Sequence, residues 1–366
     1  MTRLREGATD FLGPRVRPGA GPRRRAEPFY NPAMALDRDL GVAVVRAIGR
    51  PLDRGWEMTA ATGVRGLRLL REGSAFREFA FTETSRAAYE VLRQNLADEP
   101  RAVAFLGDGS EAPPGAPFDY VDVDPYGSPL PFLDGALAST RTGGVLAVTA
   151  TDMPVLAGAQ PSACRRRYGA APVRGRLGPE GGLRILLMVL AREARRTGRS
   201  IRPLLAYVGG HHVRAYVELR SGIAEADPVR SVAPEDWTGP PLEGTAPFGP
   251  FWLGPIVDRE LAGRLEVPAT AERARPLRRF LDLLRDDAEV DRPFYYEANT
   301  IAERLGLPRP PALDDLLAEL RREGYRAART HVRPEGLRTE APRPVVEAAA
   351  RSLVDAGQSQ NARVRA

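Results

Sequence analysis

Residues Phe118 to Pro129 read Phe-Asp-Tyr-Val-Asp-Val-Asp-Pro-Tyr-Gly-Ser-Pro, and their order carries chemistry. Tyr120 to Val123, apolar except for Asp122, reads as a strand that delivers Asp124 to its C-terminal end. Open α/β sheets bind their ligands at that edge. Pro125 lacks an N–H and cannot continue a central ladder, so the chain must turn there. Asp124 can then accept hydrogen bonds from an exocyclic amine while Tyr126 stacks on the flat base that carries it. An acid-proline-aromatic turn suits methylation of a nucleobase amino group, whose nitrogen lone pair is delocalised into the ring. A plain strand and turn account for these residues equally well on their own, so the rest of the chain decides.

Glu57 to Gly66, Glu-Met-Thr-Ala-Ala-Thr-Gly-Val-Arg-Gly, joins a strand to a helix. Its small residues allow close backbone approach, and the helix N-terminus offers free N–H groups to a carboxylate or phosphate. Gly63-x-x-Gly66 alone is weak evidence. Glu83 lies about 20 residues beyond Gly63, at the end of the next strand, where a carboxylate can bind ribose hydroxyls. Asp108-Gly109 ends the third strand, placed to accept a hydrogen bond from an adenine amine. Acids that merely cap helices, or another nucleotide fold, are the bland alternative. Acids at three successive strand ends, with Asp124 at the fourth, favour S-adenosylmethionine over a dinucleotide, which needs a stricter glycine pattern for its pyrophosphate.

The elements that must hold these groups follow from periodicity. Asp37–Ile48 is helical in pattern. Short apolar strands, Trp56–Thr59, Glu78–Thr82, Ala102–Leu106, Tyr120–Asp124 and Gly144–Ala150, alternate with helical segments, which predicts βαβ units and a parallel sheet. A long helix over Gly182–Arg196 precedes a closing antiparallel pair, Leu204–Tyr207 and Val213–Leu219. Ser221–Pro250 reads as an irregular insertion, and Gly13–Pro28 as a Pro/Gly/Arg-rich arm. Helices over Pro276–Arg285, Tyr296–Leu305 and Ala312–Glu323, then an Arg-rich extended stretch, read as a helix-turn-helix with a β-wing. The fold class is therefore α/β: a Rossmann-like S-adenosylmethionine-dependent methyltransferase domain with a smaller α+β, winged-helix-like C-terminal domain. The expected boundaries are 1–265, comprising arm and methyltransferase domain with the insertion at about 221–250, and 266–366, the winged-helix-like domain.

Composition narrows the chemistry. The chain has 366 residues, 43% of them hydrophobic, and a net charge of +6. It contains no lysine, so every one of its 53 basic residues is arginine. That removes lysine nucleophiles, Schiff bases and the P-loop lysine, and leaves phosphate binding to guanidinium groups. The missing lysine is read as a mark of a GC-rich genome, not as adaptation to RNA. Cys164 is the single cysteine, which excludes internal disulfides and a cysteine-cluster zinc site. Beside Arg165–Arg167 its thiol could ionise more easily, but a small packed side chain is the plainer reading. His211-His212 with a distant His331 reads as structural or RNA-facing, not as a metal pair. No apolar run is long enough to span a bilayer, and the polar N-terminus lacks a secretory h-region, so a cytoplasmic place is expected.

Taken in order, the motifs resemble those of the tRNA guanine-26 N2-dimethyltransferases over nearly the whole chain. They are Phe29-Tyr30-Asn31-Pro32-Ala33-Met34-Ala35-Leu36-Asp37-Arg38-Asp39, Ala61-Thr62-Gly63-Val64-Arg65-Gly66-Leu67-Arg68, Asp122 through Asp134, Thr149-Ala150-Thr151-Asp152, Cys164 through Gly169, Gly249 through Pro255, and Thr330-His331. The resemblance implies that Arg38, Arg65, Glu83 and Asp108-Gly109, with Glu57 and Gly63 in the loop, hold S-adenosylmethionine. It implies catalysis at Asp124, Pro125 and Tyr126. Tyr30, Asn31, Thr151, Asp152 and Arg165, Arg166 and Arg167 fall on the substrate side, and the C-terminal domain, 266–366, is implied to bind tRNA. Arg23–Arg25 could contact its phosphates, although charge runs are usually solvated faces. The implied partner is tRNA, without membrane or metal. No interface pattern is readable, and a monomer is preferred.

The sequence departs from that pattern in three places: Glu83 stands where aspartate is usual, Asp37 where asparagine is usual, and Ser221–Pro250 lacks the cysteine cluster of many relatives. The expected mechanism has the guanine leave its stack. Asp124 and the Pro125 carbonyl then accept hydrogen bonds from N2, with Asp124 stabilising the charge that develops and able to take the proton. A DNA amino-methyltransferase, and a relative that binds tRNA without transferring anything, are the alternatives.

Overall fold

A computed structural model describes residues 1–15, 28–73, 76–223, 227–242, 247–290 and 292–365, with side chains described to residue 356. Arg23–Arg25 lie outside the described residues. Along the chain, β1 (Thr2–Glu6) and β2 (Thr9–Gly13) precede α1 (Ala35–Ala47). Strand and helix then alternate through β3 (Arg54–Glu57), α2 (Val64–Arg68), β4 (Glu78–Glu83), α3 (Arg86–Leu96), β5 (Ala102–Leu106), β6 (Phe118–Val123), α4 (Leu133–Ser139) and β7 (Thr140–Ala150). Next come α5 (Met153–Leu156), α6 (Pro161–Tyr168), α7 (Gly178–Arg196), β8 (Arg199–Val208), β9 (Val213–Ser221), β10 (Val229–Val232), β11 (Phe248–Trp252), α8 (Arg259–Arg264) and α9 (Ala274–Ala288). The remainder holds β12 (Tyr296–Glu297), α10 (Ala298–Leu305), α11 (Leu313–Arg322), β13 (Ala327–Arg329), β14 (Gly336–Thr339) and α12 (Arg343–Arg365).

Two compact units emerge, each drawn from several segments. The first comprises Met1–Asp152, Val189–Glu225 and Gly263–Leu281; the second comprises Met153–Met188, Ala226–Ala262 and Asp282–Ala366. The division thus interleaves along the chain, whereas the sequence reading drew one boundary near 265.

The first unit is built on a seven-stranded sheet of order β5-β4-β3-β6-β7-β9-β8. The pairs from β5 to β7 are parallel, and β9 runs antiparallel to both β7 and β8. β3 pairs with β4 on one side and β6 on the other, so the strand order reverses between β3 and β6. All six residues of β6 are buried, as expected of a central strand covered on both faces. α3 begins on an Ser85 cap whose hydroxyl accepts from the Ala88 N–H, which satisfies one orphan donor of the first turn. The N-terminal arm opens with a hairpin that the sequence reading missed: β1 and β2 pair from Thr2↔Gly13 to Glu6↔Thr9 around Gly7-Ala8. Gly7 has φ +61°, the left-handed conformation that a two-residue hairpin loop needs.

In the second unit, β12, β14 and β13 form a three-stranded sheet. Ile301 of α10, Leu316, Leu317 and Leu320 of α11, Leu337 of β14 and Val346 of α12 share one apolar core with it. The insertion predicted as irregular over 221–250 contributes to a strand pair. β10 pairs antiparallel with β11 across it, using Val229↔Trp252 and Val232↔Phe248, because bulky apolar residues at both ends find partners that the Pro/Gly content obscured.

Candidate active site

The reversal of strand order opens a cleft of about 330 Å³ at the C-terminal ends of β3 and β6, the usual ligand position in such sheets. Its walls include Phe29, Tyr30, Asn31, Met34 and Arg38 from the segment leading into α1, and Glu57, Thr59 to Thr62, Val64 and Arg65 from the loop after β3. Asp124, Pro125 and Tyr126 after β6, Thr151 after β7, and His211 and His212 before β9 complete it.

The turn after β6 is pinned from a neighbouring strand. The Gly127 N–H donates to Thr151 Oγ1 at 2.6 Å, and the Thr151 N–H donates back to the Gly127 carbonyl at 2.9 Å. Gly127 takes φ +81°, which only glycine adopts without cost. Tyr126 is 58% exposed and meets Phe29 edge-on, with ring centroids 4.8 Å apart. Two aromatic rings therefore stand at the mouth where a flat base would enter.

Asp124 pairs with an Arg65 Nη2. Behind it, Asp122 is fully buried and takes both arms of Arg214, at 2.5 and 3.2 Å, and the Tyr120 hydroxyl at 2.7 Å. Arg214 also donates to Thr149 Oγ1 at 2.6 Å. Burial by itself would raise the Asp124 carboxyl. The charges of Arg65 and Arg214 and the Thr149 hydroxyl outweigh it, and hold the group down at about 2. Glu57 goes the other way. Burial and the neighbouring Asp122 push it up to about 8, against the pull of Arg65 and the Gly66 N–H. Near neutrality the site thus holds one ionised carboxylate facing the turn and one protonated carboxyl beneath the loop.

The structure gathers most of the sequence-predicted residues and gives several of them a different local task. Arg38 lines the cleft, but its guanidinium grips Glu6 of β1 at 2.6 and 2.5 Å. The Tyr30 hydroxyl donates to the same carboxylate at 3.0 Å. Asn31 caps a short 3₁₀ turn by accepting from the Ala33 N–H at 3.0 Å. Glu83 ends β4 and accepts from the Ala61 N–H at 2.9 Å and the Ser85 N–H at 2.8 Å, which braces the loop where Ala61 sits at φ +49°. Gly63, at φ +74°, precedes α2. Asp108 is exposed and accepts from the Ser110 N–H at 2.9 Å. A Cβ at Gly109 would come within 2.1 Å of the Met58 carbonyl, so glycine is required there. Asp152 follows Thr151 and is half-buried. Arg165, Arg166 and Arg167 are exposed on α6 of the second unit.

Sequence reasoning missed one group. His212 is 2% exposed, and its Nε2 lies 2.8 Å from Asp37 Oδ1 on α1. The Tyr207 hydroxyl donates to that same oxygen at 2.8 Å. The only signal was a His-His pair just before a strand of the sheet. Nothing in the sequence ties it to an aspartate 175 residues away.

Three buried atoms of the cleft walls, Thr59 Oγ1, Arg65 Nη1 and His212 Nδ1, have no hydrogen-bond partner. A free guanidinium N–H and a hydroxyl, beside a small-residue loop, fit the carboxylate and amine of a methionyl group. Sheet order and cleft together define the class: a Rossmann-like, S-adenosylmethionine-dependent methyltransferase. Comparison with known proteins narrows this further. The N2,N2-dimethylguanosine tRNA methyltransferase family pattern matches residues 22–233 and 243–351. The tRNA (guanine(26)-N(2))-dimethyltransferase of Thermococcus kodakarensis is 37% identical, over 87% of this chain and 91% of its own. That of Pyrococcus horikoshii is 35% identical, over 86% and 90%. The solved structure of Trm1 from Pyrococcus horikoshii with S-adenosyl-L-methionine superposes with a TM-score of 0.84 at 30% identity, covering 95% of this chain and 99% of that one. The chain belongs to the N2,N2-dimethylguanosine tRNA methyltransferase family.

Among the described residues no helix is long and apolar enough to cross a membrane, and no group of three or more potential ligands could hold a metal ion.

Proposed function

We propose that this chain methylates the exocyclic N2 amine of guanine 26 in tRNA, giving N2-methyl- and N2,N2-dimethylguanosine. The observation that carries the reading is the Asp124-Pro125-Tyr126 turn at the sheet's switch point, locked to Thr151 and flanked by Phe29. S-adenosylmethionine, when bound, supplies a methyl already activated on a sulfonium. Arg65 and Thr59 are the residues suited to its methionyl end, and the loop Ala60–Thr62 to its close approach.

The chain's own work is then to place the amine. The flipped base stacks on the exposed Tyr126 ring beside Phe29, and its N2 hydrogens meet the Asp124 carboxylate and the Pro125 carbonyl. Positioning of this kind provides much of the acceleration when one reactant is preactivated. Asp124 also stabilises positive charge on N2, as a fixed anion in a partly dry site. It is a poor proton acceptor: a carboxyl held at about 2 is protonated in on the order of one molecule in 10⁵ at pH 7. The expectation that Asp124 takes the proton is therefore dropped, while its orienting role stays.

The exposed arginines of α6 and the helix-and-sheet arrangement of β12 to α12, which we read as winged-helix-like, are proposed to contact tRNA phosphates. A tRNA substrate implies a cytoplasmic place of action. The test is methyl transfer to unmodified tRNA transcripts with labelled donor and nucleoside mass analysis. Both methylated guanosines should form and vanish when guanine 26 is replaced. Asp124→Asn should lower turnover by about 10²-fold or more with donor affinity nearly intact. Methylation of a different nucleotide, or full activity in Asp124→Asn, would overturn the reading.

A further inference from the structure

We propose that His212 is the proton acceptor of the reaction: its Nδ1 takes the N2 proton released as the methyl group arrives. The inference rests on the functional reading above and answers a question that reading leaves open. When the N2–CH3 bond forms and the S–CH3 bond breaks, the sulfonium becomes a neutral thioether and the amine carries the positive charge. One N2 proton must leave for the product to be neutral, and dimethylation requires this twice. Asp124 is committed to Arg65 and held strongly acidic. Glu57 is displaced upward by burial, but it is tied to the Gly66 N–H beneath the loop.

His212 has the geometry of a base. It lines the same cleft as Asp124 and Tyr126, and its ring is buried. The tautomer follows from its partner. Burial alone would raise the Asp37 carboxyl, but the hydrogen bonds from His212 and the Tyr207 hydroxyl and the charge of Arg65 hold it below its ordinary value. Asp37 is therefore an anion that only accepts, so Nε2 carries the hydrogen. The Nδ1 lone pair is left over, and Nδ1 is a buried atom without a hydrogen-bond partner, a vacancy that buried polar groups rarely tolerate unless something else fills it. Asp37 then stabilises the imidazolium that forms, as an orienting carboxylate does behind other catalytic histidines. The titratable and charged groups around the ring are Asp37 on α1, Tyr207 on β8, the adjacent His211, and Asp124 and Arg65 in the cleft. Glu57, pushed up to about 8, also titrates in the wall of this cleft.

The test uses the full chain with tRNA transcript and donor under single-turnover conditions. Wild-type protein should show a rate that rises with pH. His212→Gln keeps a neutral polar side chain but cannot hold a proton. It should slow the chemical step by about 10²- to 10⁴-fold, lose that pH dependence, and bind donor and tRNA within about twofold of wild type. Asp37→Asn keeps an acceptor for Nε2 and removes the charge, so its rate should inflect at lower pH. A readout independent of turnover is imidazole ¹⁵N NMR of the donor-free protein, which should show His212 protonated at Nε2 and bare at Nδ1. A wild-type pH profile in His212→Gln, or an Nδ1–H tautomer, would overturn the assignment while leaving the functional reading intact. A wild-type protein that transfers nothing to guanine would overturn both.

Discussion

At the scale of the residue, the cleft is a balance of buried charges whose parts differ in legibility. Asp124, Pro125 and Tyr126 could be read because their types and order are consecutive. The Asp37–His212 pair could not, since its meaning arises only when α1 and the β8–β9 turn come together. Glu57 offers the clearest test of this balance. Its carboxyl ordinarily titrates at 4.5 and is pushed up to about 8 in the fold, by burial first and then by Asp122. A raised acid costs stability once the unfolded chain ionises. The cost therefore grows from about pH 4.5 to about pH 8 and is constant above. Glu57→Gln mimics the protonated form and escapes it. The variant should match wild type near pH 4 and exceed it by a few kcal/mol, at most about 5, by pH 8. Thermal melts of the donor-free protein across that range check this, and a gap that does not widen with pH would sink it.

At the scale of the element, strands announced themselves better than their limits did. Ala102–Leu106 was read with its observed bounds, and the antiparallel β8–β9 pair was foreseen, because short alternating or continuous apolar runs leave little choice. The β1–β2 hairpin was missed. Its apolar residues are interrupted by charged and polar ones, and the value of Glu6 lies in distant partners, Arg38 and Arg68, that no local pattern reveals. Gly109 tests how tightly neighbouring strand ends are packed. A methyl there would meet the Met58 carbonyl at 2.1 Å, and a backbone atom cannot rotate away. Gly109→Ala should shift Met58 and Thr59 together, weakening S-adenosylmethionine binding by at least about 10-fold, because a displacement near 1 Å is costly in a preorganised site. Calorimetric titration with the donor measures it. Unchanged affinity would mean that the loop after β5 yields instead.

At the scale of the whole molecule, the interleaving of the two units hid the domain plan from any linear reading, and buried ion clusters show how remote segments are held. In the second unit Arg338 of β14 donates to Asp287 Oδ1 at 2.6 Å and Glu180 Oε1 at 2.9 Å. It also reaches the carbonyls of Arg292 and Phe294 at 2.7 and 3.0 Å. Arg184 closes on Glu180 at 2.7 Å, and His331 on Asp287. Segments more than 150 residues apart thus meet on one guanidinium. Burial works against both carboxylates, yet Arg338, with His331 beside Asp287 and Arg184 beside Glu180, holds each below its ordinary range. Groups depressed in this way stabilise the fold above the ordinary carboxylate values, and the benefit fades as pH falls through their lower folded values. Arg338→Met would leave two buried anions sharing what remains, a loss of about 3–5 kcal/mol. Hydrogen exchange of the α11 and β14 amides reports on this unit separately from the seven-stranded sheet. Protection there should drop by that amount at pH 7, and the gap to wild type should narrow by pH 3. An equal gap at both values would show that packing, not charge, joins these segments.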